Sequence, residues 1–426
     1  MRTTNGTAQR AIGLTATPAD GAVDEPLRIR VEGVPEGARV TLQACMRETD
    51  GTPWTSQADY LAKVDGTIDV STDAPQSGTY AGVDGEGLIA SLAPGEAVVP
   101  RPFDSSSIEP LTIDVAATIR GHNVATARFC RRYVAADVQA VAVRDCGLAG
   151  VLFRPPTSEA RPAVLVLGGS EGGLRFAGQT AALLAGHGMV SLALPYFAFE
   201  DLPKQLLDIP LEYFETALQW LSAQPGVKPD ALAVLGRSRG AELALILGSR
   251  LPLLRSIVAY CPSSIVWNGL RGDRVSDSPA RTAAQRAIPF ASLAALTSPQ
   301  LRAEIFGRSP VRLSALFNAA LAGPIAPDAF IPVERIQGSV LLISGDDDRM
   351  WPSARMGDQM VERRHAHRCP LRVRHCRYAG AGHLMRPPGM PTSVLSGAFE
   401  LGGTGLMQAR ANRSAWNETL AFLGER

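Results

Sequence analysis

The chain has 426 residues, 46% of them hydrophobic and 19% charged, with 42 basic against 41 acidic residues and a net charge of +1. That length exceeds one ordinary core and predicts two domains. The even charge balance offers no electrostatic footprint for nucleic acid or an anionic membrane, and no run approaches the eighteen apolar residues of a membrane span.

Met1–Arg10 lacks an apolar core, so no secretory leader is expected there, and Leu423-Gly424-Glu425-Arg426 carries no peroxisomal tripeptide. From there to about residue 138, short alternating runs recur between turn residues. Examples are Leu27-Arg28-Ile29-Arg30-Val31, Arg39-Val40-Thr41-Leu42-Gln43 and Leu111-Thr112-Ile113-Asp114-Val115. A period of two without long helical patterns predicts an all-β sandwich over 1–138.

Beyond residue 139 the texture changes to strand–helix alternation. Ala163–Leu167, Val190–Leu194, Leu232–Leu235, Ile257–Tyr260 and Val340–Ile343 read as buried parallel strands, and Leu211–Leu221 keeps its apolar residues on one helical face. Residues 139–426 are therefore expected to form a mostly parallel, doubly wound α/β sheet. The stretch from about 263 to 337 breaks the rhythm and reads as a cap-like insertion. The six cysteines form no CxxC pair, as expected of thiols in a reducing cytoplasm. His365, His367, Cys369, His375 and Cys376 could be arranged around a metal, but the alternation in Leu371–Cys376 reads more simply as a strand, so no metal and no cofactor is expected. His365, His367 and His375 are expected on surfaces.

The chemistry-bearing signal is Gly236-Arg237-Ser238-Arg239-Gly240, lying between a predicted strand and a helix-forming run. A sharp strand-to-helix turn holds a serine in a strained conformation, and the helix start aims its amides at developing negative charge. A serine needs a base. His383, in the glycine-rich loop Tyr378-Ala379-Gly380-Ala381-Gly382-His383, follows the last clear strand and suits that role. The acid should project from the turn Gly345-Asp346-Asp347-Asp348, where the third position favours Asp348 over Asp347. Oxyanion donors are expected from the Arg239 backbone and from Gly169 or Ser170, in the loop Leu167-Gly168-Gly169-Ser170-Glu171-Gly172-Gly173.

Together with Glu200-Asp201-Leu202-Pro203, Leu211-Glu212-Tyr213-Phe214-Glu215 and Tyr80-Ala81-Gly82-Val83-Asp84-Gly85-Glu86-Gly87-Leu88, these motifs resemble the acyl-CoA thioesterase and bile acid-CoA:amino acid N-acyltransferase family over nearly the whole chain. The resemblance implies a β-sandwich followed by an α/β hydrolase domain, thioester substrates, and a triad of Ser238, Asp348 and His383, with Trp351 favouring Asp348. Members that transfer acyl groups typically carry cysteine as nucleophile, so the serine favours hydrolysis. The early loop is poorer in glycine than is usual in the family, which leaves the second oxyanion donor open. An arginine- and alanine-rich composition suggests a bacterial relative. The leading expectation is an acyl-CoA thioesterase; an acyltransferase to an amine or hydroxyl comes second, and a carboxylester or dienelactone-type hydrolase third.

Overall fold

The computed structural model describes residues 11–105, 107–157, 159–272 and 274–425. The expectations about a leader at Met1–Arg10 and about the terminal tripeptide reach outside them. Two compact units emerge. One comprises the described residues up to Ser105, Glu109–Arg132 and, from far downstream, Gly389–Val394; the other holds most of the remaining described residues.

The first unit contains a three-stranded and a seven-stranded sheet. Alternation drives both. In Arg39–Arg47 the side chains of Val40, Leu42, Ala44 and Met46 are buried while their neighbours face outward, and Ile29 and Val31 repeat the pattern in Arg28–Glu32. Pairing is antiparallel except where Asp20–Ala22 runs parallel to Cys130–Arg132. The described helix here, Gly87–Ala90, is four residues long.

The second unit is built on eight strands: β1 Gln139–Val143, β2 Gly150–Arg154, β3 Arg161–Leu167, β4 Val190–Ala193, β5 Val227–Arg237, β6 Leu254–Tyr260, β7 Ser339–Gly345 and β8 Val373–Tyr378. Their order is β1-β2-β4-β3-β5-β6-β7-β8; the first three are joined antiparallel and the rest run parallel. Ala163 through Leu167 are all buried, which requires both sheet faces to be covered. The covering helices are α1 Arg175–Gly186, α2 Leu211–Ser222, α3 Arg239–Arg250, α4 Ser353–Ala366 and α5 Gly405–Gly424. The sheet is thus the mostly parallel one of an α/β hydrolase. Between β6 and β7 lie a hairpin, Asn268–Arg271 with Arg274–Pro279, and three short helices, Leu293–Leu296, Pro299–Phe306 and Ser314–Leu321. This segment has an apolar cluster of its own around Trp267, Leu316 and Phe317. Among the described residues no helix is long and apolar enough to cross a membrane.

Candidate active site

Ser238 follows β5 and caps α3 with φ 56° and ψ −120°, a left-handed backbone that a non-glycine residue adopts only under strain. The turn closes because its flanking positions have no side chains. A Cβ on Gly236 would lie 2.1 Å from the Gly240 carbonyl oxygen, and one on Gly240 would lie 2.2 Å from that of Gly168. The Ser238 N–H donates to Tyr260 O on β6 (2.8 Å), which fixes the turn to the sheet.

His383 follows β8 in a loop that α5 holds from behind. Gln408 accepts the Gly382 N–H at 2.8 Å and donates to Leu384 O at 2.9 Å. His383 Nε2 lies 3.0 Å from Ser238 Oγ, and Nδ1 lies 2.8 Å from Asp348 Oδ2. With the proton on Nδ1 directed at the carboxylate, the Nε2 lone pair faces the serine hydroxyl. Asp348 is itself oriented, for Oδ1 accepts the N–H groups of Met350 (3.0 Å) and Trp351 (3.2 Å), and Oδ2 accepts the Ser353 hydroxyl (2.6 Å). All three side chains are buried. The neighbouring aspartates point elsewhere: Asp347 accepts from Arg349 and from the Gly403 N–H, and Asp346 accepts from Arg377.

Two further groups stand beside the serine. Glu171, in the early loop, pairs with Arg237, whose guanidinium lies over the Phe176 ring at 4.5 Å. Burial disfavours the Glu171 anion, but the Arg237 and Arg175 guanidiniums and a backbone hydrogen bond together outweigh it and hold the carboxyl below the ordinary range. Behind the turn, the wholly buried Glu242 is shared by Arg239 and Arg281. Arg281 also donates to Arg239 O (2.6 Å), and Arg239 donates to the carbonyls of Trp267 (2.9 Å) and Asn268 (3.0 Å). Sequence reasoning missed both networks. A charged residue inside a glycine run was a signal for Glu171; nothing local marks Arg281.

A cavity of about 280 Å³ opens on Ser238 and His383, with Ser170, Glu171 and Arg239 on its wall. Gly169 lies close by: a Cβ built on it would be 3.2 Å from Ser238 Cβ. The insertion supplies Trp267, Leu293 and Phe317 to the apolar part of the wall.

The ligand atoms of Cys261, Asp348 and His383 fall within 4.8 Å of one another, the one such grouping among the described residues. They do not fit a metal. His383 and Asp348 bond each other, and burial pushes the Cys261 thiol well above its ordinary pKa while it donates to His383 O (3.4 Å). His365 and His367 are exposed, but His375 corrects the expectation of a surface position. Its side chain is 6% exposed, held between Ser344 Oγ (2.7 Å) and Asp358 Oδ1 (3.0 Å).

Residues 209–426 match the family described as BAAT / acyl-CoA thioester hydrolase C terminal, and residues 24–145 match the acyl-CoA thioester hydrolase/BAAT N-terminal region. Acyl-coenzyme A thioesterase 6 of Mus musculus is 31% identical over 97% of this chain and 96% of its own. Acyl-coenzyme A thioesterase 1 of Homo sapiens is 30% identical over 94% and 93%. Acyl-coenzyme A amino acid N-acyltransferase 2 of Mus musculus is 30% identical over 96% and 97%.

Proposed function

The chain belongs to the acyl-CoA thioester hydrolase/BAAT family, and on that premise we propose that it hydrolyses acyl-CoA thioesters through an acyl-Ser238 intermediate. The observation that carries this reading is the unbroken path Ser238 Oγ–His383–Asp348, with links of 3.0 and 2.8 Å, at the wall of a largely apolar cavity. His383 Nε2 takes the Ser238 proton as Oγ attacks the thioester carbonyl, and Asp348 holds the imidazole tautomer and stabilises the imidazolium. Negative charge on the carbonyl oxygen is received by the Arg239 N–H at the start of α3 and by a second N–H. Ser170 is favoured over Gly169 for that second donor because it shares the cavity wall with Ser238. The imidazolium then returns its proton to the departing CoA thiolate. Water, deprotonated by His383, attacks the acyl-serine and releases the free acid.

Transfer to an amine is the second reading, favoured by the equal likeness to relatives named as amino acid N-acyltransferases. An oxygen ester reacts with amines more sluggishly than an acyl-cysteine thioester, so Ser238 favours water as acceptor. Product analysis by mass spectrometry, with one acyl-CoA and excess glycine or taurine, separates the two: free acid as the main product supports hydrolysis, and mainly amide overturns it. All six cysteines are free thiols, one of them exposed at Cys146, which supports our placing the enzyme in the reducing cytoplasm.

A further inference from the structure

We infer that the cavity beside Ser238 is an acyl-chain gauge that selects unbranched, apolar acyl groups of about eight to ten carbons. The inference rests on the acyl-transfer chemistry proposed above and adds the identity of the acyl group. Capacity comes first. An apolar protein cavity of about 150 Å³ accommodates benzene with its six carbons. The 280 Å³ here therefore accept about eleven non-hydrogen atoms, which is a decanoyl group with its carbonyl oxygen. A sixteen-carbon chain or a sterol acid exceeds it.

The wall is fixed in place. Trp267, Phe317, Trp351 and His383 form a ladder of edge-to-face rings with centroids 4.9, 5.7 and 5.8 Å apart, starting at the catalytic imidazole. Each indole is pinned from behind: Trp267 Nε1–H donates to Ser263 Oγ (2.9 Å), and Trp351 Nε1–H donates to Cys261 O (3.1 Å). Enlarging the space would break these bonds and disturb the apolar cluster of the insertion.

Polarity points the same way. The Asn268 amide on the wall is spent on Ser276 O (2.6 Å) and the Leu293 N–H (3.2 Å). The Arg239 guanidinium pairs with Glu242 through Nη1 and with two backbone carbonyls through Nη2. A chain running along Leu293, Leu313 and Phe317 meets only apolar surface, and a distal carboxylate there would lose its water without gaining a partner.

The test is kcat/KM over saturated acyl-CoAs from two to eighteen carbons, with succinyl- and choloyl-CoA, beside p-nitrophenyl esters of the same acids. Each methylene taken into the cavity should raise kcat/KM about three- to fourfold until the cavity fills. The expected peak is at eight to ten carbons, with at least a tenfold fall by sixteen and weak activity on succinyl- and choloyl-CoA. Leu313→Trp, which fills the cavity, should move the peak at least two carbons shorter, and Phe317→Leu should move it longer. A peak at acetyl, succinyl, palmitoyl or choloyl, or one unmoved by both variants, overturns the inference. Inert thioesters with esters peaking at eight to ten carbons would overturn the thioesterase reading alone; hydrolysed thioesters with a peak elsewhere would overturn the gauge alone. Calorimetric binding of decanoate against palmitate to Ser238→Ala reads the same ranking without turnover, and tighter binding of palmitate also overturns it.

Discussion

Replacing Glu242 with glutamine tests whether buried electrostatics hold the Gly236–Gly240 turn. Glu242 and Arg281 have fully buried side chains, and Arg239 is 6% exposed. Burial already drives the Arg239 pKa down to about 10 in spite of the attraction of Glu242. Glutamine preserves the shape but removes the negative charge that two guanidiniums share. Breaking a buried pair costs about 3–5 kcal/mol. The amide oxygen keeps one neutral hydrogen bond, so we expect a loss near the lower figure, about 3 kcal/mol. At roughly 2 °C per kcal/mol for a unit of this size, Tm should fall by about 6 °C. Differential scanning calorimetry would measure it, with Glu159→Gln as the reference. Glu159 pairs with Arg161 on the surface, both side chains well exposed, and its loss should cost less than about 1 kcal/mol. A Glu242→Gln transition no lower than that of Glu159→Gln would refute the reasoning.

Two further outcomes are expected. Asp348→Asn should lower kcat by roughly 10⁴, because the wrong imidazole tautomer would face Ser238, whereas Asp346→Asn should leave kcat within about threefold, its partner Arg377 being half exposed; steady-state CoA release measures both, and a crippled Asp346→Asn would contradict the assignment. The pKa of His375 is held below its ordinary 6.5 by burial, against the pull of Asp358. The unfolded chain therefore takes up the proton first, so stability drops as pH falls through about 6.5 and levels off below the folded value. Between pH 7 and pH 5 the decline in Tm should be shallower in His375→Gln than in the parent chain, and an equal slope would contradict this.

Much of this architecture could be read from local pattern. Runs such as Ala163–Leu167 announce a strand buried on both faces, and the Gly236–Gly240 turn carries its own steric logic, since its glycines are required by approaches only 2.1–2.2 Å from a hypothetical Cβ. Three consecutive aspartates are harder to rank, because their difference lies in what each one meets. Only Asp348 faces His383, and Ser353, Met350 and Trp351 turn it that way. Groups joined only by the fold were illegible. Glu242 and Arg281 are 39 positions apart with no motif linking them. Phe317 and Leu313 look like any amphipathic helix flank until the insertion folds them onto the cavity. His375 lies in a strand pattern and was expected on a surface, yet α4 covers it so closely that a Cβ on Gly357 would meet its ring at 2.4 Å. The return of Gly389–Val394 to the first unit likewise follows from chain path and not from composition.

Covalent labelling tests most directly whether Ser238 Oγ carries the acyl group. A fluorophosphonate probe should attach to Ser238 alone, located by peptide mass spectrometry, and labelling should abolish CoA release from decanoyl-CoA. Ser238→Ala should take up no probe and lose several orders of magnitude in turnover while keeping the parent Tm, since one oxygen at a turn is removed. Label on a different serine, or more than about a tenth of the parent thioester hydrolysis surviving in Ser238→Ala, would contradict the account.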